Sequence, residues 1–153
     1  MVAIVNRIRR FWTLDSGAEL IEMAIALPIL LIVIAGIIDF AILFQRYEVV
    51  TNAAREGARV GILSDFKAAD VQNRAKAYLA ASGLTGTAPA PTVTYSTVTL
   101  PGGKSIDVVK VIVQYPHQFL FIGPAAALLG GTGHADIMLK AASTMRLEGA
   151  AAP

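Results

Sequence analysis

With no cysteine and only two histidines, His117 and His134, the sequence has few groups able to serve a metal or a nucleophile. The two histidines fall at predicted strand ends and make no metal-ligating pair with any spaced acid. Gly130-Gly131-Thr132-Gly133 is glycine-rich, but no lysine and helix follow it as in a phosphate loop, so it reads as a turn. No serine or acid constellation suggests a nucleophile or an acid/base pair. The expectation is a chain that is not an enzyme and takes no cofactor or metal. Two carboxylates stand out instead. Glu22 enters an apolar run at its edge, and Asp39 lies inside that run near its other end. A carboxylate in such surroundings is costly unless it is paired or close to lipid headgroups. Glu22 also suits the first turns of a helix, where the dipole favours an acid. Asp39 is about 8 Å along a helix axis from Phe44, which favours solvation at the membrane interface. An intersubunit salt bridge is the other reading for Asp39, since Arg46 is seven residues on and far for an intrahelical bond.

The element that must carry these acids is the run Met23–Phe44, 22 residues in which Asp39 is the single charge. As a helix it is about 33 Å long, enough to cross a hydrocarbon core of about 30 Å. No polar stripe interrupts it, as one would in a buried soluble helix. It is too long for the apolar region of a cleaved secretory signal, which is about 7–15 residues. The whole chain has 153 residues, 55% hydrophobic and 16% charged, with mean hydropathy +0.60. That excludes a disordered chain, and the missing thiols exclude a disulfide scaffold. The net charge of +2 comes from the N-terminal tip, where Arg7, Arg9 and Arg10 outweigh Asp15. The rest is balanced, so no basic face for nucleic acid is expected. The arginines before the run are matched by Arg46, Arg55 and Arg59 after it, so flanking charge does not decide orientation.

Beyond the run, Gln45–Leu63 has no proline and continues in helix-forming residues. Glu56 and Arg59 can pair at i, i+3. Ala53, Gly57 and Gly61 form a ridge of small residues that lets another helix approach closely, from the same domain or from a partner. Ser64-Asp65 signals the N-cap of a second helix, in which Asp70 and Arg74 are spaced to pair and Val71, Ala75, Tyr78 and Leu79 share a face. Gly83 suits its C-terminal cap. A turn-rich linker over 85–92 leads into sheet. Thr92–Leu100 and Ile106–Tyr115 read as a hairpin around Pro101–Lys104, with Val109, Val111, Val113 and Tyr115 on one face. Ala135–Glu148 alternates as an antiparallel strand whose apolar face includes Ile137, Leu139, Ala141 and Met145. The uncharged stretch between, 117–131, reads as a core-covering loop and short helix with Pro124 at its first position, or as an exposed apolar patch for a partner or membrane surface. The fold class is α+β: a long N-terminal transmembrane helix extends into a small exported domain with a second helix and about three antiparallel strands. Its parts are a basic leader over 1–17, the segment 18–44 with its apolar span 23–44, a helical region over 45–84, and a β domain over 85–153.

Between the basic leader and the apolar run stands Ser16-Gly17-Ala18-Glu19-Leu20-Ile21-Glu22-Met23. This arrangement resembles the processing site of type IV prepilins. More widely, GAELIEMAIALPILLIVIAGIIDF, then TNAAREGAR (51–59) and ASTMRLEG (142–149) resemble the TadE-like family of minor pilins or pseudopilins of tight-adherence (Tad/Flp) pili. The resemblance implies cleavage after Gly17 by a prepilin peptidase, with Ala18 as the new N-terminus and Glu22 as the fifth mature residue. It implies that Glu22 pairs with a neighbouring subunit's new amine during assembly. Asp39, Ala53, Gly57 and Gly61 join Glu22 as assembly candidates. The implied partners are the peptidase, other pilin-type subunits and the lipid bilayer. The implied location is the inner membrane, crossed once, with the N-terminus cytoplasmic and the C-terminal domain periplasmic or extracellular. Family major pilins are much smaller and commonly carry tyrosine after the glutamate, where this chain has Met23, so a minor subunit is expected. An anchored TadE-like envelope scaffold and a type II secretion pseudopilin are the alternative readings.

Overall fold

The computed structural model describes residues 16–63, 67–128, 130, 131, 133 and 136–147. Helix α1 runs Ser16–Gly61 and α2 runs Ala68–Ala81; β1 (Thr92–Thr99), β2 (Ser105–Gln118), a short α3 (Ile122–Leu128) and β3 (Asp136–Arg146) follow. The expected α+β class with a long apolar helix and three antiparallel strands is what the chain adopts. It divides into two compact units, one ending at Ile38 and one beginning at Asp39. The basic leader up to residue 15 and the Ser64-Asp65 signal lie outside the described residues.

In the first unit α1 is apolar on every side, with Leu20, Ile25, Leu31 and Ile37 all exposed. A helix hydrophobic all round belongs in a core or a membrane, and here its apolar side chains are exposed. The helix is long and apolar enough to cross a bilayer. Pro28 removes one backbone hydrogen bond, a loss that membrane helices tolerate, and the helix continues through it.

The second unit is built on the distal half of α1. β2 is the central strand, paired antiparallel to β1 on one side and β3 on the other. Its alternation does what period two demands: Val109, Val111, Val113 and Tyr115 turn to one face, and Lys110 stays exposed on the other. Leu139 and Ala141 on β3 extend this face, opposite Tyr115 and Val113. Val50, Ala53, Ala54 and Ala58 of α1 and Val71, Ala75 and Leu79 of α2 complete the core.

The small-residue ridge is spent inside this core. A Cβ at Gly57 would lie 3.3 Å from both Ala75 Cβ and Val111 Cγ1, and one at Gly61 would lie 3.0 Å from Val109 Cγ2. Gly57 and Gly61 therefore let α1 approach α2 and the sheet together. Ala53, Gly57 and Gly61 are all buried, and of the two contacts expected of the ridge, with its own domain or with a partner, the chain makes the first.

Two local readings change as well. Helix α2 starts at Ala68, and the Lys67 backbone N–H donates to the Asp70 carboxylate at 2.9 Å. Asp70 is thus used as a capping acid, and Arg74 turns to α1, donating to Glu56 Oε1 at 2.6 and 3.0 Å from Nη2 and Nε. The expected Glu56–Arg59 pair forms more loosely, at 3.8 Å. Pro124 occupies the third position of α3, because the helix begins two residues earlier, at Ile122.

Candidate assembly and anchoring site

β2 runs back along α1. A Cβ at Gly61 would touch Val109, one at Gly57 would touch Val111, Arg46 meets His117, and Asp39 meets the residues just past the strand. Twenty-two helical residues cover about 33 Å and twelve strand residues about 40 Å, so strand and helix keep pace. The chain that left Asp39 therefore returns to it some eighty residues later.

At that return the Asp39 carboxylate accepts three backbone hydrogen bonds: Leu120 N–H to Oδ1 at 2.9 Å, Phe121 N–H to Oδ2 at 2.9 Å and Ile122 N–H to Oδ2 at 2.7 Å. These amides open α3, where N–H groups have no partner within the helix. An acid from a distant helix does the work of a cap, and the peptide dipoles of α3 favour its charge. Asp39 is 1% exposed. Interfacial solvation, the expected reading, does not match this burial. Both carboxylate oxygens are engaged within the chain.

One level further along α1, Arg46 Nη1 lies 3.2 Å from His117 Nδ1. A guanidinium only donates, so Nδ1 accepts and the imidazole proton sits on Nε2. Nε2 is buried with no hydrogen-bond partner among the described residues. Burial, first, and the Arg46 charge, second, lower the His117 pKa below its ordinary value, against a raising effect of Asp39. Phe119 packs edge-on to His117 at 5.0 Å and to Phe40 at 6.2 Å between ring centres. A cleft of about 300 Å³ opens beside this cluster, lined by Asp39, Ile42, Arg46, Gln118, Phe119 and Leu120.

Chemically this arrangement is a fastening. Its charges are spent on backbone amides and on one neutral histidine. Among the described residues no three histidines, aspartates or glutamates come together as metal ligands. The other expected site residues lie apart from it. Gly17, Ala18 and Glu22 are exposed in the first turns of α1, and a Cβ at Gly17 would meet nothing within 4 Å among the described residues. The sequence places His117 at a predicted strand end without showing its burial. Its odd-numbered parity with Val113 and Tyr115 on β2 was the available sign that it points into the core.

The two units define a class first: a protein with one apolar N-terminal helix, consistent with single-pass membrane anchoring, whose distal half is the spine of an α+β domain. Residues 17–59 match the family model TadE, described as TadE-like protein. The match opens at Gly17 and takes in Glu22, Asp39, Ala53 and Gly57, so the resemblance to the TadE-like family is shown along nearly all of α1. No curated protein and no solved structure matches the chain.

Proposed function

We propose that this chain is a minor pilin or pseudopilin of a tight-adherence pilus, with no catalytic role of its own. The observation that carries the reading is the TadE-like match, which starts at the glycine of the prepilin-type site and continues through the whole apolar helix. A prepilin peptidase removes residues 1–17, and Ala18 becomes the N-terminus. The helix then joins other pilin-type helices. One face of the distal half of α1 is covered by its own domain, and the exposed apolar stretch before Asp39 is the surface for helix–helix packing. Glu22 is exposed on that stretch, where a lone carboxylate in apolar surroundings gains most from a cationic partner such as a neighbour's new amine.

The test is co-fractionation with sheared pili, comparing the wild-type chain with Glu22→Gln. Processing and membrane insertion are scored separately. The wild type is expected in the pilus fraction, and Glu22→Gln is expected to be cleaved and inserted but lost from it. A wild-type chain that stays wholly in the membrane fraction of piliated cells would show a static anchor. A cleaved Glu22→Gln protein that enters pili normally would remove the intersubunit role of Glu22.

A further inference from the structure

The segment that Asp39 holds carries a surface that assembly of the helix leaves unexplained. From Phe119 to Gly133 the chain has no charged residue. Within this stretch Leu120 is 61%, Phe121 39% and Leu128 89% exposed. Met138 on the adjoining start of β3 is 52% exposed. Large apolar side chains gathered in this way mark a surface that meets something apolar.

Position identifies the partner. The three hydrogen bonds to Asp39 fix residues 120–122 close to the outer end of the apolar run, about 8 Å along the helix axis before Phe44. From that level outward α1 itself exposes Phe40, Phe44 and Tyr47, spaced i, i+4 and i+7 on one face and followed by Glu48. Aromatic side chains grouped where an apolar helix turns polar are the mark of the headgroup region. The opposite end of the sheet, the Pro101–Lys104 turn, lies at the far end of β2 and carries a lysine.

We infer that the 119–128 segment is a second, interfacial membrane contact: Leu120, Phe121 and Leu128 insert into the outer headgroup layer of the bilayer that α1 crosses, with Asp39 as the clamp holding them there. The inference rests on the reading of α1 as membrane-spanning. It does not depend on entry into a pilus. A lipid surface is favoured over a protein partner because the contact continues directly from the apolar helix and needs no second molecule. Its role is to hold the domain against the membrane before assembly.

The experiment uses the full chain, with Trp12 replaced by phenylalanine, in vesicles of phosphatidylcholine and phosphatidylglycerol carrying brominated acyl chains. Single tryptophans are placed as Leu120→Trp, Leu128→Trp, Leu100→Trp at the far turn, and Val33→Trp in the apolar helix. Bromine should quench Leu120→Trp and Leu128→Trp severalfold more than Leu100→Trp, and their emission should be blue-shifted relative to it. Equal quenching of all three, with free access to aqueous iodide, overturns the inference while a quenched Val33→Trp leaves the anchor intact. Shielding of Leu120→Trp only after pilin subunits are added overturns it in favour of a protein contact. An unquenched Val33→Trp removes the membrane anchor and the inference with it.

Discussion

Replacing Asp39 by alanine tests the fastening directly. The carboxylate accepts hydrogen bonds from three amides that have no other partner in α3. Hydrogen bonds to a charged group are each worth about 1.5–3 kcal/mol, and a buried donor left without a partner costs about 1–3 kcal/mol. Leu120 and Phe121 are exposed, so water can reach their amides once the acid is gone, whereas Ile122 is half-buried. The net loss should therefore be about 2–4 kcal/mol, short of the sum of three full bonds. This is a large share of the roughly 5–15 kcal/mol that holds a domain together. Hydrogen exchange of the purified chain in detergent, read by mass spectrometry over 118–128, separates local release from global unfolding. Asp39→Ala should speed exchange in this peptide by about 30- to 1,000-fold, the equivalent of that loss, while peptides of β2 around Val111 change less. Asp39→Asn keeps one acceptor oxygen and turns an amide NH2, itself a donor, toward the remaining backbone donors, so it should fall between wild type and alanine. Unchanged exchange over 118–128 in Asp39→Ala would show that the three bonds contribute nothing, and the account of Asp39 as a clamp would fall.

The glycines of the ridge should differ in their tolerance. Gly61→Ala puts a Cβ 3.0 Å from Val109 and should lower stability by about 1–2 kcal/mol, its overpacking only partly offset by better helix propensity. Gly57→Ala, at 3.3 Å from two apolar carbons, should stay within about 1 kcal/mol, whereas Gly57→Leu should prevent the native packing; thermal melts of the three read the order. His117 is held neutral by burial and by Arg46, so its folded pKa lies below its unfolded one. Its contribution to stability is therefore complete above about pH 6.5 and is lost as pH falls below that, and denaturation midpoints between neutral and mildly acidic pH should fall less in His117→Phe than in wild type. Cleavage should yield a chain beginning at Ala18, and Gly17→Leu should block it without unfolding the protein, because none of the described residues crowds that position; N-terminal sequencing checks both.

The readings from sequence that held were periodic ones. An apolar run of 22 residues and the strict alternation of Val109, Val111, Val113 and Tyr115 each depend on a repeat that a single sequence displays. The ridge of Ala53, Gly57 and Gly61 was also visible, but which surface it met was not. That depends on β2 crossing it, a contact with residues some fifty positions later. Asp39 was misread for a similar reason. Its partners are backbone amides, which have no signature in side-chain types, and they lie 81–83 residues along the chain in sequence that reads as apolar filler. Arg74 shows the same limit on a smaller scale. Spacing offers it Asp70, but Asp70 is drawn to the Lys67 amide and Glu56 stands across the helix interface.

The course of β2 along α1 also dictates an order of folding. Contacts separated by 71 residues, as between Arg46 and His117, are expensive to form in a free chain, because both ends must be found by diffusion through a large ensemble. Here one end need not be searched for. α1 is synthesised first, and a bilayer around its apolar part would hold it helical before the strands exist. The sheet then condenses on a spine that is already helical, and the late residues 120–122 close the structure at Asp39. A chain cut short before Phe119 would keep its spine and most of its strands but have no closing contact. The Asp39 carboxylate would be left without its three amides, so incomplete chains should fail first at that end, while α2 and β2 still cover the ridge of alanine and glycine.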